Sequence, residues 1–145
     1  MAIWFKEVNA AQADQMRKGT LLESLDIRII ELGDDFIKGD MPVDHRTVQP
    51  YGILHGGASV SLAESLGSIG AHLTIDPEKF VCVGMEINAN HLRPATKGKV
   101  IGTARPIHRG KSSQVWSIEI KDEEGKMVCI SRITMAVVSK DKISK

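Results

Sequence analysis

Four long strand-like runs follow one another in the second half of the sequence, and the connections between them are short. A parallel return needs a crossover of a dozen or more residues, so these connections require consecutive strands to run antiparallel. The sequence therefore predicts a large antiparallel sheet. The runs cover residues 80–92, 99–107, 113–121 and 126–139 and are separated by RPATKG, HRGKS and DEEG.

A helical segment rich in small residues precedes these strands. From residue 57 to about residue 75, most residues are Gly, Ala or Ser, and backbone can approach such a helix closely on several sides. One such helix before several long antiparallel strands predicts an α+β fold, a curved sheet of five to six strands wrapped around a central helix. We expect a single domain over residues 1–145. The apolar positions of the helix recur at helical spacing: Ala58, Leu62, Leu66 and Ile69.

The first third of the chain supplies shorter elements. Residues 9–18 predict a short amphipathic helix that ends before Gly19. Residues 25–43 read as two strands joined at Gly33-Asp34-Asp35, which is a hairpin pattern. Residues 45–54 contain a proline and a glycine and have no helical or strand period. We therefore expect a loop there, whose polar side chains can point into a site.

Composition excludes several classes of function. The formal net charge is +1, which favours neither nucleic acid nor an anionic membrane surface as partner. No apolar stretch approaches the ~20 residues that a membrane span needs. Cys82 and Cys129 lie in apolar strand-like runs without a preceding signal-peptide pattern, which predicts reduced, buried thiols in a cytoplasmic protein. The histidines have no metal-ligand spacing, so we expect no metal site.

The start of the small-residue helix combines groups that could act on a carbonyl. His55 is followed by Gly56 and Gly57, where the first backbone N–H groups of a helix lack partners and can hold a developing oxyanion. Glu64 lies eight residues beyond Gly56, roughly 12 Å along the helix axis, so one carbonyl cannot contact both within one chain. If both serve one reaction, a two-fold dimer with shared sites is the simplest geometry. Ser68 shares the helix face of Glu64.

A purely structural interpretation of these residues is also open. His55 could be a histidine at the helix start with a satisfied hydrogen bond, and Glu64 could face solvent. A helix so rich in small residues is typical of one surrounded by backbone, and a surrounded carboxylate is costly unless it is hydrogen-bonded or used. This argument favours a functional role for Glu64.

Two longer stretches indicate a family. VQPYGILHGGASVSLAES, together with INANHLRPA, resembles the hotdog-fold acyl-CoA thioesterases of the Arthrobacter 4-hydroxybenzoyl-CoA thioesterase type. The likeness covers nearly the whole chain and extends to enterobacterial thioesterases acting on 1,4-dihydroxy-2-naphthoyl-CoA or on misacylated carrier proteins. It implies a hotdog fold, hydrolysis of acyl-CoA to free acid and CoA, and no cofactor, since coenzyme A is part of the substrate. It also implies a homodimer with shared active sites, further assembled into a homotetramer.

The resemblance also implies roles for single residues. Glu64 matches the catalytic carboxylate, as nucleophile or as general base on water. Gly56 matches the residue whose backbone N–H polarises the thioester carbonyl. His55 and Gln49 match polar neighbours that orient the carbonyl and the carboxylate, and Ser68 matches a hydroxyl-bearing position that assists hydrolysis.

The resemblance implies that the coenzyme A part of the substrate contacts three segments: Gly84, residues 91–94 and residues 108–113. In the last of them, Arg109 and Lys111 could meet phosphates, although an ordinary solvated turn is the alternative. A nucleotide-binding P-loop at this GKS is excluded, because Arg105 stands where that motif needs glycine and a strand-like run follows. The implied contact residues are Gly84, His91, Leu92, Arg93, Pro94, His108, Arg109, Gly110, Lys111, Ser112 and Ser113.

Two other functions fit a hotdog fold. Hydration or dehydration of an enoyl thioester calls for a histidine with an acid in motifs absent here. A non-catalytic module that binds acyl-CoA would need the pocket but not the reactive groups. The joint presence of Glu64, Gln49 and His55 favours catalysis.

Overall fold

The computed structural model describes residues 1–143. Helices and 3-10 turns lie at α1 (Ala10–Asp14), Gln15–Arg17, α2 (Leu21–Ser24), α3 (Gly56–Leu73) and Lys140–Lys142. Strands lie at β1 (Arg28–Leu32), β2 (Ile37–Pro42), β3 (Phe80–His91), β4 (Lys99–Arg109), β5 (Ser113–Asp122) and β6 (Met127–Ser139). The long helix and the four long strands lie where the sequence predicts them, with ends that differ by one or two residues.

All six strands form one antiparallel sheet in the order β1-β2-β4-β5-β6-β3. The sheet curves around α3, whose residues Leu62 and Leu66 are fully buried. The predicted α+β architecture is therefore confirmed, with six strands. In the described part of the chain, no helix is long and apolar enough to cross a membrane.

The small residues of α3 allow the sheet to close on it. A Cβ atom on Gly67 would lie 2.6 Å from Ile133 Cγ2, and one on Gly70 would lie 2.8 Å from the Trp116 ring. Real Cβ atoms do not come so close to such atoms, so glycine is needed for this packing distance. The helix is surrounded, as its composition indicates.

Strand β3 is separated from β4 by two other strands, although the two are consecutive in sequence. The consecutive strands are antiparallel as predicted, but the connecting residues 92–98 cross the end of the sheet instead of forming a hairpin. Leu92 N–H donates to Val128 O at 2.8 Å, and Ala95 O accepts from Leu54 N–H at 2.8 Å. These bonds fasten the crossing segment to β6 and to the loop before α3.

One edge of β3 pairs with β6, and its outer edge pairs with no strand in residues 1–143. Apolar side chains on this strand are exposed, with Val83 at 44% and Met85 at 67%. A long, apolar, unpaired edge is a template for pairing with another strand.

The N-terminal region differs from expectation in detail. Its first helix ends at Asp14 and continues as a 3-10 turn to Arg17, and Asn9 caps it through a capping box with Gln12. The short helix α2 was not predicted; Thr20 caps it by accepting from Leu22 N–H at 3.2 Å. The hairpin β1–β2 is confirmed.

Candidate active site

The loop between β2 and α3 is held by a buried threonine. Thr47 Oγ1 donates to Pro42 O at 2.8 Å and accepts from Asp44 N–H at 3.1 Å. Thr47 O accepts from His55 N–H at 2.8 Å, which ties the end of the loop to its start. This turn fixes the segment that carries Gln49 and leads into the helix.

Gln49 is half-buried within this loop. Its Oε1 accepts from the Tyr51 N–H, and its backbone N–H donates to Ile53 O at 2.9 Å. Within the described chain its side-chain NH₂ donates to no protein group. That group is free to donate to a ligand.

His55 caps helix α3. Its Nδ1 accepts from Gly57 N–H at 2.8 Å, so in the neutral ring Nε2 carries the proton. The neighbouring Gly56 N–H donates to no group in residues 1–143. Because it lies in the first turn of a helix of 18 residues, it is a free donor at the positive end of the helix dipole.

A cavity of about 430 Å³ opens beside this helix start. Its wall is built by the loop, by the first turn of α3 and by the segment that crosses the sheet end. The ring of His91 lies so close that a Cβ atom on Gly56 would be 2.8 Å from its Nε2. The lining residues are Gln49, Ile53, Leu54, Gly56, Ser59, His91, Leu92, Arg93, Pro94, Ala95 and Val128.

Glu64 lies elsewhere, under strand β3, and is not among the residues lining that cavity. A Cβ atom on Gly84 would be 2.8 Å from Glu64 Oε2. The carboxylate is half-buried and makes no hydrogen bond or ion pair within residues 1–143. The chain therefore holds an unpartnered carboxylate against the free edge strand.

Ser68 lies one turn beyond Glu64, and its hydroxyl contacts a sulfur atom. Ser68 Oγ donates to Met135 Sδ at 3.7 Å, so within one chain it does not hold the Glu64 carboxylate. A thioether is a weak acceptor, which leaves this hydroxyl easily redirected to a stronger one.

The residues expected to contact coenzyme A form two groups at opposite ends of the sheet. Arg109 pairs with Gln114, Gln114 with Met135, and Met135 with Gly84, so the β4–β5 turn and Gly84 share one end. His91 pairs with Cys129 at the other end, next to the segment with Leu92, Arg93 and Pro94. One chain thus does not bring all these residues together.

The β4–β5 turn is tightly closed. Gly110 N–H donates to Ser113 O at 2.8 Å, and Ser112 O accepts from Val137 N–H at 2.9 Å. His108 and Lys111 are exposed, and Arg109 Nη1 donates to Ile3 O at 3.5 Å. Strand β5 follows directly where a P-loop would need a helix, in agreement with the exclusion of that motif.

Two residues of this region were missed by sequence reasoning. Thr47 holds the loop, but a threonine in an aperiodic segment carries no local signal for that role. Ser59 lines the cavity and is 2% exposed. Its place three residues after Gly56, on the same helix face, is a signal that was available. No group of three or more His, Cys, Asp or Glu residues within 1–143 could hold a metal ion.

Comparison with known proteins identifies the family. The sequence model of the Thioesterase superfamily matches residues 51–129, from the loop before α3 to the start of β6. That is more than half of the 145 residues. The chain belongs to the thioesterase superfamily.

Individual members of this superfamily match nearly the whole chain. The 1,4-dihydroxy-2-naphthoyl-CoA hydrolase of Escherichia coli is 48% identical over 136 residues, 94% of this chain and 99% of that protein. The proofreading thioesterase EntH of Cronobacter turicensis is 46% identical over 94% of this chain and 98% of its own length. The predicted class of enzyme, a thioester hydrolase, is confirmed at the level of the family.

A solved structure of the superfamily has the same fold. The crystal structure of thioesterase HI1161 from Haemophilus influenzae superposes with a TM-score of 0.91 at 45% identity, covering 94% of this chain and 95% of that one. The predicted hotdog fold, a long helix wrapped by an antiparallel sheet, is therefore confirmed.

Proposed function

We propose that this thioesterase hydrolyses acyl-CoA thioesters to a free acid and CoA at a site shared by two chains. The observation that supports this most is the separation of two unpartnered groups. The Gly56 N–H opens onto the cavity beside His91, whereas the Glu64 carboxylate lies under Gly84. Both groups lie against β3, but at different points along it.

A two-fold pairing of β3 with its own copy would join the two groups. A β-bulge between Gly84 and Glu86 shortens that stretch by one pairing position, so in the sheet register Gly84 and His91 are equidistant from a single point, Asn88. If two β3 strands pair antiparallel about that point, Gly84 of each chain lies opposite His91 of the partner subunit. Each Glu64 carboxylate is then next to the partner's Gly56. The exposed apolar side chains of β3 would be buried in the same step.

The same register assembles the coenzyme A contacts. The β4–β5 turn shares a sheet end with Gly84, and the segment 92–94 follows His91. These two groups lie at opposite ends of one sheet, so the two-fold axis places one chain's turn beside the other chain's crossing segment. Arg109 and Lys111 then face the cavity mouth, where phosphates of CoA would bind.

The chemistry needs only these groups. The Gly56 N–H, at the positive end of α3, stabilises the negative charge that develops on the carbonyl oxygen. As a general base, Glu64 takes a proton from water as water adds to the carbonyl carbon, and the C–S bond then breaks. As a nucleophile, Glu64 itself adds to the carbonyl carbon, the C–S bond breaks to leave an anhydride, and water hydrolyses the anhydride to release the acid and Glu64. In both routes the CoA sulfur leaves with the bonding electrons and takes up a proton that comes from water. Gln49 and His55 orient the carbonyl and the carboxylate.

No metal and no further cofactor take part in this proposal. Two unpaired thiols, Cys82 and Cys129, and the thioesterase family support a cytoplasmic enzyme. We further propose that the dimer assembles into a tetramer. For Ser68 we propose that its hydroxyl turns from the Met135 sulfur to the bound water during hydrolysis.

The relatives suggest the acyl groups to test. The names of the Escherichia coli and Cronobacter enzymes point to an aromatic acyl-CoA and to proofreading, respectively. We propose aromatic acyl-CoAs, such as hydroxybenzoyl- or dihydroxynaphthoyl-CoA, as first choice, with medium-chain acyl-CoAs also accepted. Release of acyl groups from misacylated carrier proteins is the second candidate.

A thiol-release assay tests the proposal. Purified protein is incubated with 4-hydroxybenzoyl-CoA, 1,4-dihydroxy-2-naphthoyl-CoA, hexanoyl-CoA and a benzoylated carrier protein, and free thiol is followed with a chromogenic disulfide. We expect turnover of the aromatic CoA esters, and loss of the carboxylate in Glu64→Ala should lower kcat by roughly 10²- to 10⁴-fold. If the protein hydrolyses none of these thioesters, the proposed function is wrong.

A further inference from the structure

Ser59 is a nearly buried residue whose hydroxyl has no hydrogen-bond partner in the described chain. Ser59 is 2% exposed and lies in the first turns of α3. Within residues 1–143 its Oγ makes no hydrogen bond. A polar group in such a nearly closed position normally has a partner, so the Ser59 hydroxyl is available to a ligand that reaches it through the remaining opening.

Other serines of the same helix behave differently. Ser61 Oγ donates to Gly57 O at 2.9 Å, and Ser65 Oγ donates to Ser61 O at 2.6 Å. Each thus satisfies its hydroxyl with the carbonyl four residues earlier, the usual solution in a helix. The corresponding carbonyl for Ser59 is that of His55, which already accepts from Ala58 N–H at 3.0 Å and Ser59 N–H at 3.2 Å. The Ser59 hydroxyl is left for another acceptor.

The Ser59 side chain points toward the cavity beside Gly56. Residues three apart in a helix share a face, and side chains lean toward the helix N-terminus, so Ser59 leans toward the turn that holds Gly56. Ser59 lines this cavity together with Gly56. No fully buried side-chain oxygen or nitrogen in the described chain lacks a partner, so the Ser59 Oγ keeps access to open space. The cavity is the opening next to it.

We propose that Ser59 is a second hydrogen-bond donor to the thioester carbonyl oxygen, next to the backbone N–H of Gly56. This inference rests on the proposed thioester hydrolysis. When the nucleophile bonds to the carbonyl carbon, one electron pair of the C=O bond moves onto oxygen. Two donors, Gly56 N–H and Ser59 O–H, then share the negative charge until the pair returns and the C–S bond breaks.

The arrangement fits a donor used mainly in the transition state. The apolar residues Leu54, Ala95 and Val128 share the cavity wall with Ser59, and a charged oxygen gains more from a donor in apolar surroundings than in bulk solvent. Its position on α3 is fixed by the helix. A rigidly held donor needs no rearrangement when the charge appears.

The test replaces Ser59 and compares it with a serine that lacks this role. Ser59→Ala removes only the hydroxyl and introduces a better helix former, so folding is not at risk. Ser61→Ala is the matched control on the same helix. With 4-hydroxybenzoyl-CoA as probe, Ser59→Ala should lower kcat by on the order of 10²-fold, the usual cost of losing one oxyanion donor. Its KM and its Kd for free CoA should stay within about twofold, and Ser61→Ala should keep the wild-type kcat.

A structural role predicts a different pattern. Because the hydroxyl bonds to nothing in the chain, its loss should not lower the unfolding temperature. A fall in that temperature together with a matching loss of CoA binding, or a kcat equal to that of Ser61→Ala, would overturn the proposal. Failure of the underlying function is distinguishable, since wild-type protein would then release no thiol from any probe.

Discussion

A Cβ atom on Gly84 would lie 2.8 Å from Oε2 of Glu64. The backbone of the free edge strand thus covers the unpartnered carboxylate of the central helix, with room for a hydrogen atom only. A methyl group at Gly84 would require the carboxylate to move, and the activity should depend on where the carboxylate lies.

Gly84→Ala should therefore displace the Glu64 carboxylate. A shift of about 1 Å in a catalytic group can cost on the order of 10²-fold in rate, so we expect a loss of that size in kcat for 4-hydroxybenzoyl-CoA. Gly125→Ala is the control: at φ +81° a side chain is strained, but nothing lies within 4 Å of its Cβ position, so it does not displace Glu64. It should lower the unfolding temperature and leave kcat unchanged. Wild-type kcat in Gly84→Ala would contradict the assigned role of this contact.

His55 has a structural role that can be separated from its chemistry. Its Nδ1 accepts from Gly57 N–H at 2.8 Å and caps α3. His55→Ala should lower the free energy of unfolding by about 1 kcal/mol, the usual cost of losing a helix cap, whereas His55→Asn keeps an acceptor and should stay near wild type. Urea denaturation of both variants measures this difference. Any loss of kcat in His55→Asn then reports on the imidazole itself, and equal stability of the two variants would show that the cap contributes nothing.

Thr47 holds the loop that carries Gln49, and removal of its hydroxyl should lower the free energy of unfolding. Thr47→Val keeps the shape but leaves Pro42 O and Asp44 N–H without their side-chain partner. We expect unfolding to become easier by about 1–3 kcal/mol, the cost of buried groups left unpaired. Conservative Thr47→Ser retains the hydroxyl and should recover most of the loss. If Val and Ser variants unfold at the same urea concentration, the hydrogen bonds are not what holds the loop.

Asp44 gives this loop a pH dependence. The side-chain hydrogen bond from Arg46 lowers the pKa of Asp44 to about 2, from an ordinary value of 3.8. The stability that ionised Asp44 contributes is therefore complete above about pH 4 and is lost as the pH falls through 2. In urea denaturation, wild type should exceed Asp44→Asn at pH 5, and the difference should shrink below pH 4. Asp35→Asn, at an exposed carboxylate that pairs with Arg105, is the control; a gap independent of pH would contradict the assignment.

Much of the fold could be predicted from the sequence, because its signals are local. Short connections dictate antiparallel strands, and the Gly, Ala and Ser content of residues 57–75 indicates a helix that the sheet encloses. The pairing of β3 with β6 could not be predicted in this way. It depends on residues 92–98 crossing the sheet end, and their bonds to Val128 and Leu54 join segments distant in sequence.

The candidate site, too, could be predicted from the sequence only in part. Spacing alone separates Gly56 from Glu64 by about two helical turns and points to a second chain. Burial decides the rest: Ser59 looks like any other serine of the helix until its missing hydrogen bond and its place on the cavity wall are known. Gly84 likewise appears as an ordinary strand glycine until the carboxylate beneath it is seen.

The proposed site between two chains makes a prediction about mixed dimers. Glu64→Ala chains lack the carboxylate. Gly56→Pro chains lack the N–H. Proline suits the first helical position after the extended His55, and its ring displaces the side chain of His91, which adds to the loss of that half-site. Each variant alone should be inactive. Co-expressed with different tags, the two should form heterodimers in which one of the two sites has both groups intact.

An equal mixture should then recover about a quarter of the wild-type activity, because half of the dimers are mixed and each has one complete site. Doubly tagged dimers, purified over both affinity columns, should have about half the wild-type kcat per dimer. The control is a chain that carries both substitutions, co-expressed with Glu64→Ala, which offers no complete site. Because a site built within one chain gives no active combination in any of these dimers, absence of recovery in doubly tagged, folded heterodimers would rule out the shared site.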